Sequence, residues 1–148
     1  MKLSRLRIVL WVMLVTASAF AAWAWLRPYE WSPDPGARGK VVSTLISQDH
    51  SHYWVTVHVK IESGQSFDFE KPMRLLSGSK EIETADTTLS GDVDQQVSDL
   101  WLKFWLTREE MAAPLSLRVN DGRLTVKKSS KAPELDAGEQ IFQTSSFW

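Results

Sequence analysis

His52-Tyr53-Trp54-Val55-Thr56-Val57-His58-Val59-Lys60-Ile61 alternates in chemistry: Tyr53, Val55, Val57, Val59 and Ile61 are apolar, while the even positions are mostly polar. Side chains of a strand point alternately to opposite faces, so a period of two describes a strand buried on one side and wet on the other. The same pattern returns in 97–106, VSDLWLKFWL, where Leu100, Leu102, Phe104 and Leu106 share one face. Both strands interrupt their non-core face with indoles, at Trp54, Trp101 and Trp105.

Working outward, 40–47 (KVVSTLIS) is predicted as a first strand. Phe67, Phe69 and Pro72 lead into the short strand MRLL, and a turn at Ser77-Gly78-Ser79 leads into a strand over 81–89. Thr107-Arg108-Glu109-Glu110 has capping-box spacing, predicting one helical turn that runs to Ala113 and stops at Pro114. In 115–126, LSLRVNDGRLTV, Asp121-Gly122 between alternating apolar runs predicts a tight hairpin. About seven short strands without crossover helices give an all-β fold, an antiparallel sandwich over 39–128.

The N-terminal end is different. Lys2, Arg5 and Arg7 in the segment 1–7 precede a charge-free apolar run, 8–26, with Trp11 near one end and Trp23 and Trp25 near the other. As a helix the run spans about 28 Å, close to the roughly 30 Å hydrocarbon core of a bilayer. Basic residues before it and indoles at both interfaces predict a single-pass membrane anchor with a cytoplasmic N-terminus and the rest of the chain outside, periplasmic or extracellular. A cleaved signal peptide is the alternative, with small-residue sites at Ala17-Ser18-Ala19 and Ala19-Phe20-Ala21. Either way the domain is exported. Residues 27–38, with prolines at 28, 33 and 35, read as a semi-rigid spacer, with Tyr29 and Trp31 at headgroup level. Residues 129–148 form a tail that begins polar and ends IFQTSSFW.

Composition removes several function classes. A net charge of −1 offers no basic footprint for nucleic acid, and beyond residue 26 fourteen basic residues face eighteen acidic ones. With no cysteine, disulfides, thiolate metal sites and cysteine nucleophiles are excluded.

The segments WVTVHVKI (54–61), LWLKFWLTREEM (100–111) and PLSLRVNDGRLTVK (114–127) resemble those of telokin-like, immunoglobulin-like domains of unknown function on bacterial membrane-anchored or secreted proteins. The likeness covers roughly 39–128 and rests on alternation; the Cys…Trp…Cys arrangement of antibody-type domains is missing. It implies an immunoglobulin-like fold with an extracytoplasmic binding or assembly role, and supplies no active site.

Among candidate site residues, Asp49, His50 and His52 could supply three metal ligands if their loop curled. His58 could not join them, because six residues of strand separate it from His52 by about 20 Å. The carboxylate pairs Glu81/Glu83 and Asp92/Asp94 have spacing suited to acid–base work or calcium, but the calcium-loop pattern is absent, as is a Gly-x-Ser-x-Gly elbow. A solvated surface explains these groups, so catalysis, cofactors and small-molecule ligands are not expected. Trp54, Trp101 and Trp105, turned away from the apolar stripes, together with Phe142, Phe147 and Trp148, make the better candidate: a contact surface for another envelope or membrane protein. The tail IFQTSSFW, or the Phe67–Phe69 loop, could instead cover the three indoles. Ser146-Phe147-Trp148 could also enter a partner's backbone nest as an added strand. The reading is thus an anchored binding or scaffolding protein; an extracytoplasmic metal-handling protein or hydrolase using 49–52 is the alternative.

Overall fold

A computed structural model of the chain describes residues 2–26, 34–91, 96–136 and 138–144. The chain divides into two compact units near residue 32. The first contains a single helix, α1 (Lys2–Leu26), in which the 18 residues Leu6–Trp23 have a mean hydropathy of 1.8 and no buried side chain. Its one polar side chain in that window's middle turn is satisfied locally, Thr16 Oγ1 donating to the Val12 carbonyl at 2.8 Å. By length and composition α1 can cross a membrane; a signal sequence shares both properties.

The second unit is built from nine strands among the described residues: β1 (Gly39–Asp49), β2 (His52–Ile61), β3 (Arg74–Ser77), β4 (Lys80–Glu83), β5 (Asp86–Gly91), β6 (Val97–Thr107), β7 (Leu115–Val119), β8 (Gly122–Lys127) and β9 (Gln140–Gln143). They form two antiparallel sheets, ordered β5-β6-β2-β1-β9 and β4-β3-β7-β8. The inward positions of both sheets make one core. Ile46, Tyr53, Val55, Val57, Leu102 and Phe104 come from the five-stranded sheet; Leu75, Leu117, Val119 and Val126 come from the other; all are fully buried. Each such side chain contributes about 1.5–3 kcal/mol by leaving water, and without disulfides this burial carries the stability. Tyr53 keeps its hydroxyl satisfied by donating to the Pro133 carbonyl at 2.8 Å.

α2 (Arg108–Ala112) follows β6 through the expected capping box: Thr107 Oγ1 accepts from Glu110 N at 3.3 Å, and Thr107 N donates to Glu110 Oε2 at 2.8 Å. The turn sends Met111 into the core.

Three expectations change. The segment 81–89 is not one strand: β4 and β5 belong to different sheets. The chain turns the corner at Thr84-Ala85, where Thr84 Oγ1 donates to the Met73 carbonyl at 3.0 Å and Ala85 N to Lys103 at 2.8 Å. This division and β9 raise the strand number from seven to nine. Second, the hairpin tip is Asn120-Asp121, with Asn120 at φ 51°, and Gly122 already pairs with Val119. Gly122 is needed elsewhere, because the 3₁₀ turn Pro35–Ala37 lies against it. Third, the sandwich takes in residues on both sides of 39–128. Ala37, placed in the spacer by sequence, is fully buried, and β9, placed in the tail, pairs with β1.

A register shift between Leu115 and Ser116 has one further effect: it turns Lys127 inward to 1% exposure. Its Nζ donates to the carbonyls of Ala113 (3.0 Å) and Ser129 (2.6 Å), and burial lowers its pKa.

Candidate functional site: the outer face of the five-stranded sheet

The wet face of β2 meets the wet face of β6 in a register that sets Trp54 directly opposite Trp105 and His58 directly opposite Trp101. Cross-strand neighbours on one face lie within stacking distance. The Trp54 and Trp105 rings are 4.3 Å apart at 56°; His52 lies parallel to Trp105, at 4.9 Å and 9°. The Lys103 ammonium sits over Trp54, 4.4 Å from the ring centroid, in cation–π range. His52, Trp105, Trp54 and Lys103 thus form one continuous row of ring contacts across two strands, stacked at His52–Trp105 and tilted at Trp105–Trp54. Two residues further along, His58 stacks on Trp101 at 4.6 Å and 11°.

The second stack is held from its base. His58 Nε2 is 2.8 Å from Asp99 Oδ1, and Ser98 Oγ donates to Asp99 Oδ2 at 2.8 Å. These two bonds, with the charges of His58 and Lys60, hold the Asp99 carboxyl below its ordinary pKa.

All three indoles are half-buried, with His52, His58, Lys103 and one another as ring neighbours. Among the described residues of this unit, all strands belong to the two sheets, and no further strand lies over this face. The expectation that 141–148 folds over the indoles fails for its described part. β9 extends the sheet at its edge, with Ile141 opposite Ile46 on the core side and Phe142 opposite Leu45 on the outer face. Phe142 is 61% exposed and shares its face with the three tryptophans. Phe147 and Trp148 lie outside the described residues, as does the Ser146 end motif.

The metal candidates separate. Asp49 and His52 pair at the end of the β1–β2 hairpin, but the His52 ring is committed to Trp105 and its Nδ1 to Ser51 Oγ at 3.1 Å. His50, at φ 57° in the turn, bonds Asp49 Oδ1 at 2.8 Å and projects into solvent. Among the described residues, no group of three or more His, Asp or Glu side chains is placed to hold a metal ion.

Glu81 and Glu83 lie on the other sheet, in ion pairs: Glu81 with Arg118 at 2.9 Å and Arg74 at 3.7 Å, and Glu83 with Arg74 at 3.2 Å. Asp92 and Asp94 lie outside the described residues. Sequence reasoning found the indoles but missed their histidine and lysine partners. The signal was present in the matched spacing of 54 and 58 with 101 and 105, which an antiparallel register brings into two facing pairs. No family model, curated protein or solved structure matches this chain.

Proposed function

We propose that this chain is a single-pass membrane protein carrying an immunoglobulin-like sandwich on the extracytoplasmic side. It binds or scaffolds another envelope or membrane protein and performs no catalysis. Lys2, Arg5 and Arg7, ahead of the charge-free run 8–26, support a cytoplasmic N-terminus.

One observation carries the binding reading: a cross-strand aromatic face, Trp54–Trp105 and Trp101 with Phe142 beside it, over which no strand of the described residues lies. Tryptophan in such a setting combines large apolar area with a polar N–H, the pairing favoured at interface centres. The ring orientations favour a protein partner over a flat sugar ring. His52 and Lys103 flank the Trp105–Trp54 pair, and His58 occupies a face of Trp101. The face therefore offers indole edges and donors among Thr56, Thr88 and Lys103, rather than open ring platforms.

The test is co-purification of the full chain, tagged at its N-terminus, from gently solubilised membranes, beside Trp54→Ser and Trp101→Ser. A stoichiometric partner that disappears with either substitution, while near-ultraviolet circular dichroism shows an intact fold, supports the reading. A partner retained by both variants places the contact elsewhere.

A further inference from the structure

All three histidines of the chain lie in or beside β2, and their surroundings differ. His50 bonds Asp49, but its side chain is 95% exposed at the hairpin turn. His52 lies on Trp105 and has a hydroxyl, Ser51 Oγ, as its bonded partner. His58 combines an indole with a carboxylate. Its ring lies flat on Trp101 at 4.6 Å and 11°, while Nε2 reaches Asp99 Oδ1 at 2.8 Å. The His58 and Asp99 side chains are 21% and 24% exposed, so solvent screens this pair less than it screens His50 and Asp49. An ionised carboxylate only accepts, so Nε2 carries the proton that His58 donates to Asp99.

We infer that His58 is a proton-responsive clamp on Trp101, and that the aromatic face binds its partner more tightly as pH falls. The dependence on a partner rests on the binding reading; the clamp does not. Histidine is the side-chain type that changes charge between about pH 5 and 8, whereas carboxylates and ammonium groups change outside that range. A second proton on the imidazole turns the Trp101 stack into a cation–π contact and the Asp99 bond into an ion pair, so both contacts of His58 strengthen together. The charged groups around it on this face are Lys60 on its own strand, Asp99 and Lys103 on β6, Lys40 on β1 opposite Lys60, and Asp86 on β5 opposite Lys103. Directly opposite His58, β1 sets the uncharged Ser43. Asp99, held below its ordinary pKa, stays an anion throughout this range. A partner that covers Trp101 also strips water from Asp99, which costs less when an imidazolium stands beside the carboxylate. Association therefore takes up a proton at His58, and one proton limits the gain to about tenfold per pH unit.

The test uses the full chain, labelled with nitrogen-15, in detergent micelles. The indole N–H resonance of Trp101 is assigned by its loss in Trp101→Phe and followed from about pH 8 to about pH 5.5. In wild type it should move in one step while its order parameter rises, as a ring becoming immobilised does. His58→Gln should abolish both changes; Asp99→Asn should keep the step and lose the rise. A Trp101 resonance indifferent to pH overturns the clamp, and so does a rise that survives Asp99→Asn. If His58→Gln loses the dispersed spectrum of a folded chain, Asp99→Asn decides alone. A second arm repeats the co-purification at both pH values. A partner recovered more fully at the lower pH with wild type, but equally at both with His58→Gln, supports the dependence. A partner lost with Trp101→Ser yet recovered equally at both pH values with wild type overturns it. Recovery of no partner at either pH fails the binding reading, while the resonance still judges the clamp.

Discussion

At Gly122 a side chain has no room. A Cβ built there would lie 2.1 Å from Ala37 N and 2.7 Å from Gly36 C, both backbone atoms that cannot swing aside. Around this contact the Pro35–Ala37 turn is fastened to the β7–β8 hairpin: Asp121 N donates to Gly36 O at 3.0 Å, Asn120 Nδ2 to Ala37 O at 2.8 Å, and Arg38 pairs with Asp121 at 3.2 Å. Gly122→Ala is therefore expected to cost about 2 kcal/mol or more, as overpacked sites do, read as a lower urea midpoint with unchanged slope. Asp99 supplies a second residue-scale expectation. Its folded pKa lies below that of an unfolded aspartate, so its stabilisation is complete above the unfolded value near about 3.9 and is lost as pH falls through the lowered folded value. The stability difference between wild type and Asp99→Asn should hold at pH 5 and shrink below about pH 4. A difference unchanged down to pH 2 would show that the His58–Asp99 bond does not set it.

At the scale of elements, periodicity made β2 and β6 legible, because each has one face in the core and one outside. Their facing pairs were not legible, since register depends on the partner strand. The break between β4 and β5 was hidden for a related reason: EIETADTTL has strand-forming residues throughout, and the corner is imposed by Thr84 and Ala85 bonding to Met73 and Lys103. β9 escaped notice because four residues with one apolar core-facing side chain carry almost no periodic signal. Local chemistry was read best at α2, whose cap lies within four residues of sequence. Glu110 illustrates the balance there: burial raises its pKa, but bonds from Lys80 and the Thr107 backbone bring it below the ordinary range. Thr107→Ala removes one cap bond and should cost about 1 kcal/mol, measurable by thermal melting; no change would mean that Met111 packing alone holds the turn.

For the molecule as a whole, an apolar helix and a two-sheet sandwich share one chain, and the sandwich presents two unlike faces. The four-stranded sheet carries Arg74 and Arg118 bonded to Glu81 and Glu83, an exposed ion-pair lattice worth little to stability. The five-stranded sheet carries the aromatic stacks. That three indoles stand off the core was legible from Trp54, Trp101 and Trp105 lying off the apolar stripes; that no strand of the described residues overlies them required the sheet order. The most direct measurement is photo-cross-linking in native membranes from a reactive side chain at Thr56, between the two aromatic groups, or at Thr88, opposite Trp101 on β5, compared with one at Arg118 on the opposite sheet. Expected are one discrete protein adduct from positions 56 and 88 and none from 118. An adduct from 118 alone, or the same adducts from all three positions, would contradict the aromatic face as the contact surface.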